Sequence, residues 1–202
     1  MISKKQWFII GGISVVVVSI LTIIIVRYRK KPKTTKNEEP NKTNTSDKTK
    51  NIIIGDSQTK NIAKNTKKAQ LISSTEGEKS LWQSSKNLSW LKKAVDKYKK
   101  SPDINSVTIN IGTNGGFSLK DNVKGLVASI KEKFPNAKLY AVQGSWGWGG
   151  NGDKTIDDIN KYYDKFRDSG VKVLEPPIGK TLNPHNYIDS YKKISKSIDN
   201  EL

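Results

Sequence analysis

The chain has 202 residues, enough for one ordinary domain plus extra segments, and its 36 Lys and Arg against 19 Asp and Glu leave a formal charge of +17. The absence of cysteine excludes disulfides, thiolate metal sites and a cysteine nucleophile, and a single histidine leaves no metal-ligand cluster and no cofactor motif in view. Residues 1–50 hold 11 basic and 3 acidic residues, +8, whereas 51–202 hold 25 and 16, +9, so the first quarter is disproportionately basic.

Residues 7–26, "WFIIGGISVVVVSILTIIIV", form an uncharged run of 20. At about 1.5 Å per residue such a helix matches a hydrocarbon core of roughly 30 Å, so this segment is expected to be a transmembrane span within an anchor of residues 1–30. A cleaved secretory signal would have a shorter apolar region ending at small residues, whereas this one ends in "RYRKKPK". Lys4 and Lys5 flank one end, and Arg27, Arg29, Lys30, Lys31, Lys33 and Lys36 the other. The positive-inside bias therefore keeps the C-terminal side in the cytoplasm. Residues 31–50 contain no Val, Ile, Leu or aromatic residue, so nothing offsets the entropy of ordering them, and they read as a flexible linker. At about 5–6 Å times the square root of its length, the linker holds the following domain a few tens of Å from the bilayer.

Beyond it, short apolar runs alternate with helical periodicity over 51–202, the pattern of a parallel sheet covered by helices in an α/β domain. Five strands are expected, at 51–55, 69–73, 106–112, 138–144 and 171–176. Four amphipathic faces accompany them: Leu88, Leu91, Val95 and Tyr98; Val123, Leu126, Val127, Ile130 and Phe134; Ile156, Ile159, Tyr163 and Phe166; and Ile188, Tyr191, Ile194 and Ile198. In such folds ligands sit beyond the carboxyl ends of the strands. Those positions read Gly55-Asp56-Ser57, Gly112-Thr113-Asn114 and Gln143-Gly144-Ser145, with His185 ahead of the last helix. A serine hydroxyl needs a base to take its proton, a neutral imidazole is the usual one near pH 7, and the resulting oxyanion needs preorganised N–H donors.

"IIIGDSQT", "INIGTN" and "LNPHNYIDSYKKISKSI", in that order and at those strand ends, resemble the first, third and fifth blocks of the SGNH, or GDSL, hydrolase family over nearly the whole of 51–202. The resemblance implies a flavodoxin-like three-layer α/β/α fold with a five-stranded parallel sheet, and ester hydrolysis through an acyl-enzyme. It implies Ser57 as nucleophile, His185 as general base, and an oxyanion hole formed with Asn114, Ser57 and a backbone N–H from the glycine block. That donor is Gly77 by its residue type, or Ser84 or Ser85 by its spacing to the next helix. Leu182 stands where the family has the aspartate that orients the histidine, so the site implied is a Ser57–His185 dyad.

Each of these residues also has an ordinary structural role open to it. Ser57 can cap the helix starting near Gln58, Asn114 can occupy a left-handed turn, and His185 can be a plain loop residue. Asp56 is expected to structure the turn. "GSWGWGGNG" (144–152) presents Trp146 and Trp148, whose flat faces suit the apolar sides of sugar rings or can dock on the domain itself. Three classes follow. The first is a membrane-anchored serine esterase acting on O-acetylated glycan, peptidoglycan or a lipid ester. The second is a degenerate SGNH-fold module binding carbohydrate or protein. The third is a structural membrane protein, of a virion or cell envelope, whose basic face meets nucleic acid or anionic lipid. A glycan substrate would place the domain on the envelope side of the membrane, against the charge flanks.

Overall fold

The computed structural model describes residues 50–112, 116–144, 154–175 and 188–202, all within one compact unit, Thr43–Leu202. The expected span at 7–26 and the linker up to residue 49 lie outside the described residues; among those described, no helix is long and apolar enough to cross a membrane.

Strand β1 (Asn51–Gly55) carries three consecutive isoleucines, and all three are buried. A strand apolar on both faces belongs inside a covered parallel sheet, and here it pairs in parallel with β2 (Ser106–Asn110). β2 pairs with β3 (Lys138–Val142) and β3 with β4 (Lys172–Leu174), each in parallel, giving the order β1-β2-β3-β4. Among the described residues five α-helices accompany the strands: α1 (Gln58–Asn65), α2 (Leu88–Lys97), α3 (Val123–Lys133), α4 (Ile156–Asp168) and α5 (Ile188–Glu201). Asn87, Asn122 and Thr155 cap α2, α3 and α4 with their side chains, and Asp158 completes a reciprocal capping box with Thr155.

The pleat sorts alternate residues to the two faces of the sheet. Ile52, Ile54, Val107, Ile109, Leu139 and Ala141 pack with α2, α3 and α4 through Leu91, Val95, Leu126, Ile130, Phe134, Ile159 and Phe166. Ile53, Tyr140, Val142 and Leu174 pack with α1 and α5 through Ile62, Ala63, Tyr191, Ile194 and Ile198. Helices thus cover both faces. One expected core position is corrected. Ile156 is 45% exposed because it begins the first turn of α4, and the buried stripe of that helix is Ile159, Tyr162, Tyr163 and Phe166.

The sheet has four strands among the described residues, not the five expected. The segment 69–73 makes a single parallel bridge, Ile52 with Gln70, in which Ile53 N–H donates to Gln70 O at 3.1 Å and Gln70 N–H to Asn51 O at 3.0 Å. The ladder stops there because the rest of that edge is taken. Gly55 N–H donates to Leu81 O at 3.0 Å and Gly55 O accepts from Gln83 N–H at 3.1 Å, so residues 81–83 occupy the places that Ile72 and Ser73 would need. The strands expected at 106–112 and 138–144 end at 110 and 142, where the chain turns outward into the loops at the carboxyl edge.

Candidate active site

At the carboxyl edge, β1 and β2 approach so closely that only glycine fits at residue 55. A Cβ built on Gly55, whose φ is 147°, would lie 1.8 Å from Asn110 O. That approach lets Asp56 N–H donate to Asn110 O at 3.0 Å, and the chain then turns directly into α1 with Ser57 at φ −59° and ψ −30°. Ser57 is half-buried, and its side chain makes no cap hydrogen bond. Capping falls to Asp56, whose Oδ1 accepts from Gln58 N–H at 3.1 Å. The ordinary structural job open to Ser57 is therefore done by its neighbour, and Asp56 structures the turn as expected.

Asp56 is almost fully buried, and its carboxylate accepts further hydrogen bonds from Gly112 N–H and, at 3.5 Å, from Asn110 Nδ2. Desolvation dominates these donors and pushes the carboxyl up to about 7. Asn110 Nδ2 also donates to Thr59 Oγ1 at 3.1 Å, tying the first turn of α1 to the end of β2. Beneath this cluster Tyr162 stacks on Phe117 with centroids 4.7 Å apart, and its hydroxyl, under Gly112, has no partner among the described residues. Tyr163 Oη accepts from Gly144 N–H at 3.3 Å, two residues before Trp146 in sequence. Burial holds both phenols well above their usual range.

The segment that completes the edge of β1 runs parallel to it at Trp82, so its continuation through Gln83, Ser84 and Ser85 passes the same carboxyl end as Ser57. Leu81 and Ser85 take left-handed φ values of 58° and 57°, the only non-glycine residues to do so among those described. Such conformations cost on the order of 1–3 kcal/mol each and persist only where the surroundings over-determine them. The N–H groups proposed for an oxyanion hole can now be sorted. Gly77 N–H is committed to Trp82 O at 3.0 Å and Ser84 N–H to Glu76 Oε2 at 3.1 Å, which removes both from the expected donors. Ser85 is exposed, and no backbone carbonyl among the described residues accepts from its N–H. Above this segment Lys60 Nζ lies 5.7 Å from the centre of the Trp82 ring.

His185, Asn114, Leu182, Trp146 and Trp148 lie outside the described residues, so of the residues expected at the site the structure places Ser57, Gly77, Ser84 and Ser85. It adds Asp56, Thr59, Asn110 and Gly112 as the framework of the turn that carries Ser57. Asn110 was detectable in sequence as a lone amide between Ile109 and Ile111 at a strand end; Thr59, inside an unremarkable helix, was not. A groove of about 620 Å³ between α3 and α4, floored by Val123 and Val127 and rimmed by Lys131 and Lys165, shares no residue with this cluster. Among the described residues no group of acidic and histidine side chains could hold a metal ion. No protein-family model matches the chain, and no curated protein matches it either.

Proposed function

We propose that the chain is a membrane-anchored serine hydrolase of the SGNH/GDSL type, with a flavodoxin-like arrangement in which the bridge at Gln70 stands for the fifth strand, in the order 2-1-3-4-5. The observation that carries this reading is the turn at 55–58. Ser57 sits at the carboxyl end of β1, at the start of a helix, with its side chain released from capping because Asp56 does that work.

In this reading His185 removes the Ser57 proton as the hydroxyl oxygen attacks an ester carbonyl, then returns it to the departing alcohol. The oxyanion is held by the Ser57 N–H, the Asn114 side chain and the Ser85 N–H. The positive end of α1 adds to that stabilisation. Water then hydrolyses the acyl-enzyme through the same base. In the same reading the indoles of Trp146 and Trp148 take the sugar faces of an O-acetylated glycan or peptidoglycan fragment, with a lipid ester as the other substrate class. The apolar run at 7–26 anchors the domain to the bilayer. Leu182, in the place of the orienting aspartate, favours a second reading, a module of the same fold that binds without turning over.

The test is a fluorophosphonate probe and an aryl acetate applied to the wild-type chain, Ser57→Ala and His185→Ala. Labelling and turnover that either substitution abolishes support the hydrolase. An unlabelled wild type across pH 5–9 supports the binding module.

A further inference from the structure

Asn110 is a costly residue for the end of a buried β-strand. It is fully buried at the end of β2, between two buried isoleucines, and its Oδ1 has no partner among the described residues. A buried polar atom left unpaired costs on the order of 1–3 kcal/mol, which a valine at this strand position would avoid. The other half of the amide is fully used. Nδ2 donates to Thr59 Oγ1 at 3.1 Å and points at Asp56 Oδ1 at 3.5 Å, while Asn110 O accepts from Asp56 N–H at 3.0 Å and from the Thr59 hydroxyl at 3.5 Å. One residue of β2 thus holds the 55–59 turn on both sides of Ser57, through Asp56 before it and Thr59 after it. Two residues further on, Gly112 N–H returns to the Asp56 carboxylate and closes the loop of contacts.

The contacts joined in this way hold the turn that carries Ser57 to the end of β2 and to Gly112 beyond it. We propose that Asn110 is a positioning residue of the hydrolase site: its amide, with Thr59 and Asp56, fixes the turn that carries Ser57 against the end of β2. The inference rests on the hydrolase reading and adds to it the buried cross-tie that fixes its geometry. Gly55 makes the tie possible, since any side chain there would push the 55–59 turn away from Asn110. Preorganisation of this kind acts on the chemical step: a displacement near 1 Å between reacting groups costs on the order of a hundredfold in rate while leaving ground-state binding nearly unchanged.

The experiment uses the full chain in mild detergent and compares wild type, Asn110→Ala and Thr59→Val. Thr59→Val keeps the side-chain shape and removes only the hydroxyl, which accepts from Asn110 Nδ2 and donates to Asn110 O. Each variant is followed by circular dichroism at 25 °C, by the rate of fluorophosphonate labelling, and by kcat and KM on an aryl acetate. The expected result is a folded protein whose labelling rate and kcat fall roughly ten- to a hundredfold with KM within about twofold of wild type. Folded variants with wild-type kcat overturn the inference while leaving the hydrolase reading intact. So does unfolding of both variants, because the tie would then serve the fold instead of the site. A wild-type chain that is not labelled at all defeats the hydrolase reading, and the positioning role with it.

Discussion

Replacing Asp56 with asparagine tests the electrostatic account of the site most directly. Burial raises this carboxyl from 3.8 to about 7, a little over three pK units, each worth about 1.36 kcal/mol. Between those two values the unfolded chain has lost the proton and the folded chain keeps it. The stabilisation is therefore fully present below 3.8 and is lost as the pH rises through about 7. At pH 5 the linkage is worth roughly 2–3 kcal/mol and by pH 8 almost nothing, so the wild type loses nearly all of that across the window from this group alone. For a unit of this size that is a fall in Tm of roughly 5–10 °C. Asparagine cannot titrate. It keeps one oxygen for Gln58 N–H and turns its NH₂ toward another donor, a cost that is the same at every pH, so only the difference in slope is diagnostic. The phenols of Tyr162, Tyr163 and Tyr191, all pushed above their ordinary value, stay neutral throughout the window and cannot mimic the effect. Thermal or urea unfolding of Thr43–Leu202, wild type and Asp56→Asn, at half-unit steps from pH 5 to 8 gives the two profiles. The wild-type curve is expected to fall toward the variant's as pH rises. Parallel curves, or a wild type that gains on the variant at high pH, refute the view that desolvation outweighs the Gln58 and Gly112 donors.

Gly55→Ala is expected to destabilise by more than the ordinary 0.5–3 kcal/mol of a point substitution, because the new methyl overlaps Asn110 O and the backbone there is left-handed; a urea midpoint within error of wild type would contradict it. Asp199→Ala removes a carboxylate that accepts from Lys67 N–H at 2.9 Å and Lys68 N–H at 3.0 Å, fixing the end of α1 to α5, and should cost about 1–2 kcal/mol with no change in labelling of Ser57. Thr155→Ala breaks the capping box of α4 and should cost about 1 kcal/mol by the same measurement. The full chain should resist extraction from membranes by alkaline carbonate, and deletion of residues 1–30 should release it; release of the intact chain would count against the span.

Much of the architecture was legible because the signals were redundant. Three isoleucines in a row before glycine can hardly be anything but an interior parallel strand, and the spacing of Leu126, Ile130 and Phe134 fixes both the helix and the face it buries. The strand expected at 69–73 failed for a reason no local pattern carries. Its sequence suits a strand, but its place on the edge of β1 is contested by residues 81–83, and that competition is decided by tertiary contacts. The same holds for the backbone donors expected of an oxyanion hole. Gly77 was singled out by residue type, yet what matters is whether an N–H is already spent, and Gly77 spends its own on Trp82.

The candidate nucleophile itself shows how far residue type can mislead when read one position at a time. A serine at a helix start is ordinarily a cap, and an aspartate beside it in a buried turn is ordinarily a liability. Here the two roles are exchanged. Asp56 takes the helix N–H, and its burial is made tolerable by donors on β2 and the turn beyond it, which lie more than fifty residues away in sequence. The exchange leaves the Ser57 side chain making no cap hydrogen bond, because the residue before it does that work. That dependence makes a specific demand: substitutions at Asp56, Thr59 and Asn110 should be non-additive in the labelling rate of Ser57, since each removes a member of one cross-tie, whereas Asp199→Ala should add independently to any of them. Additive effects within the trio would mean that the turn is held by separate contacts, and the physical unity argued for this site would be lost.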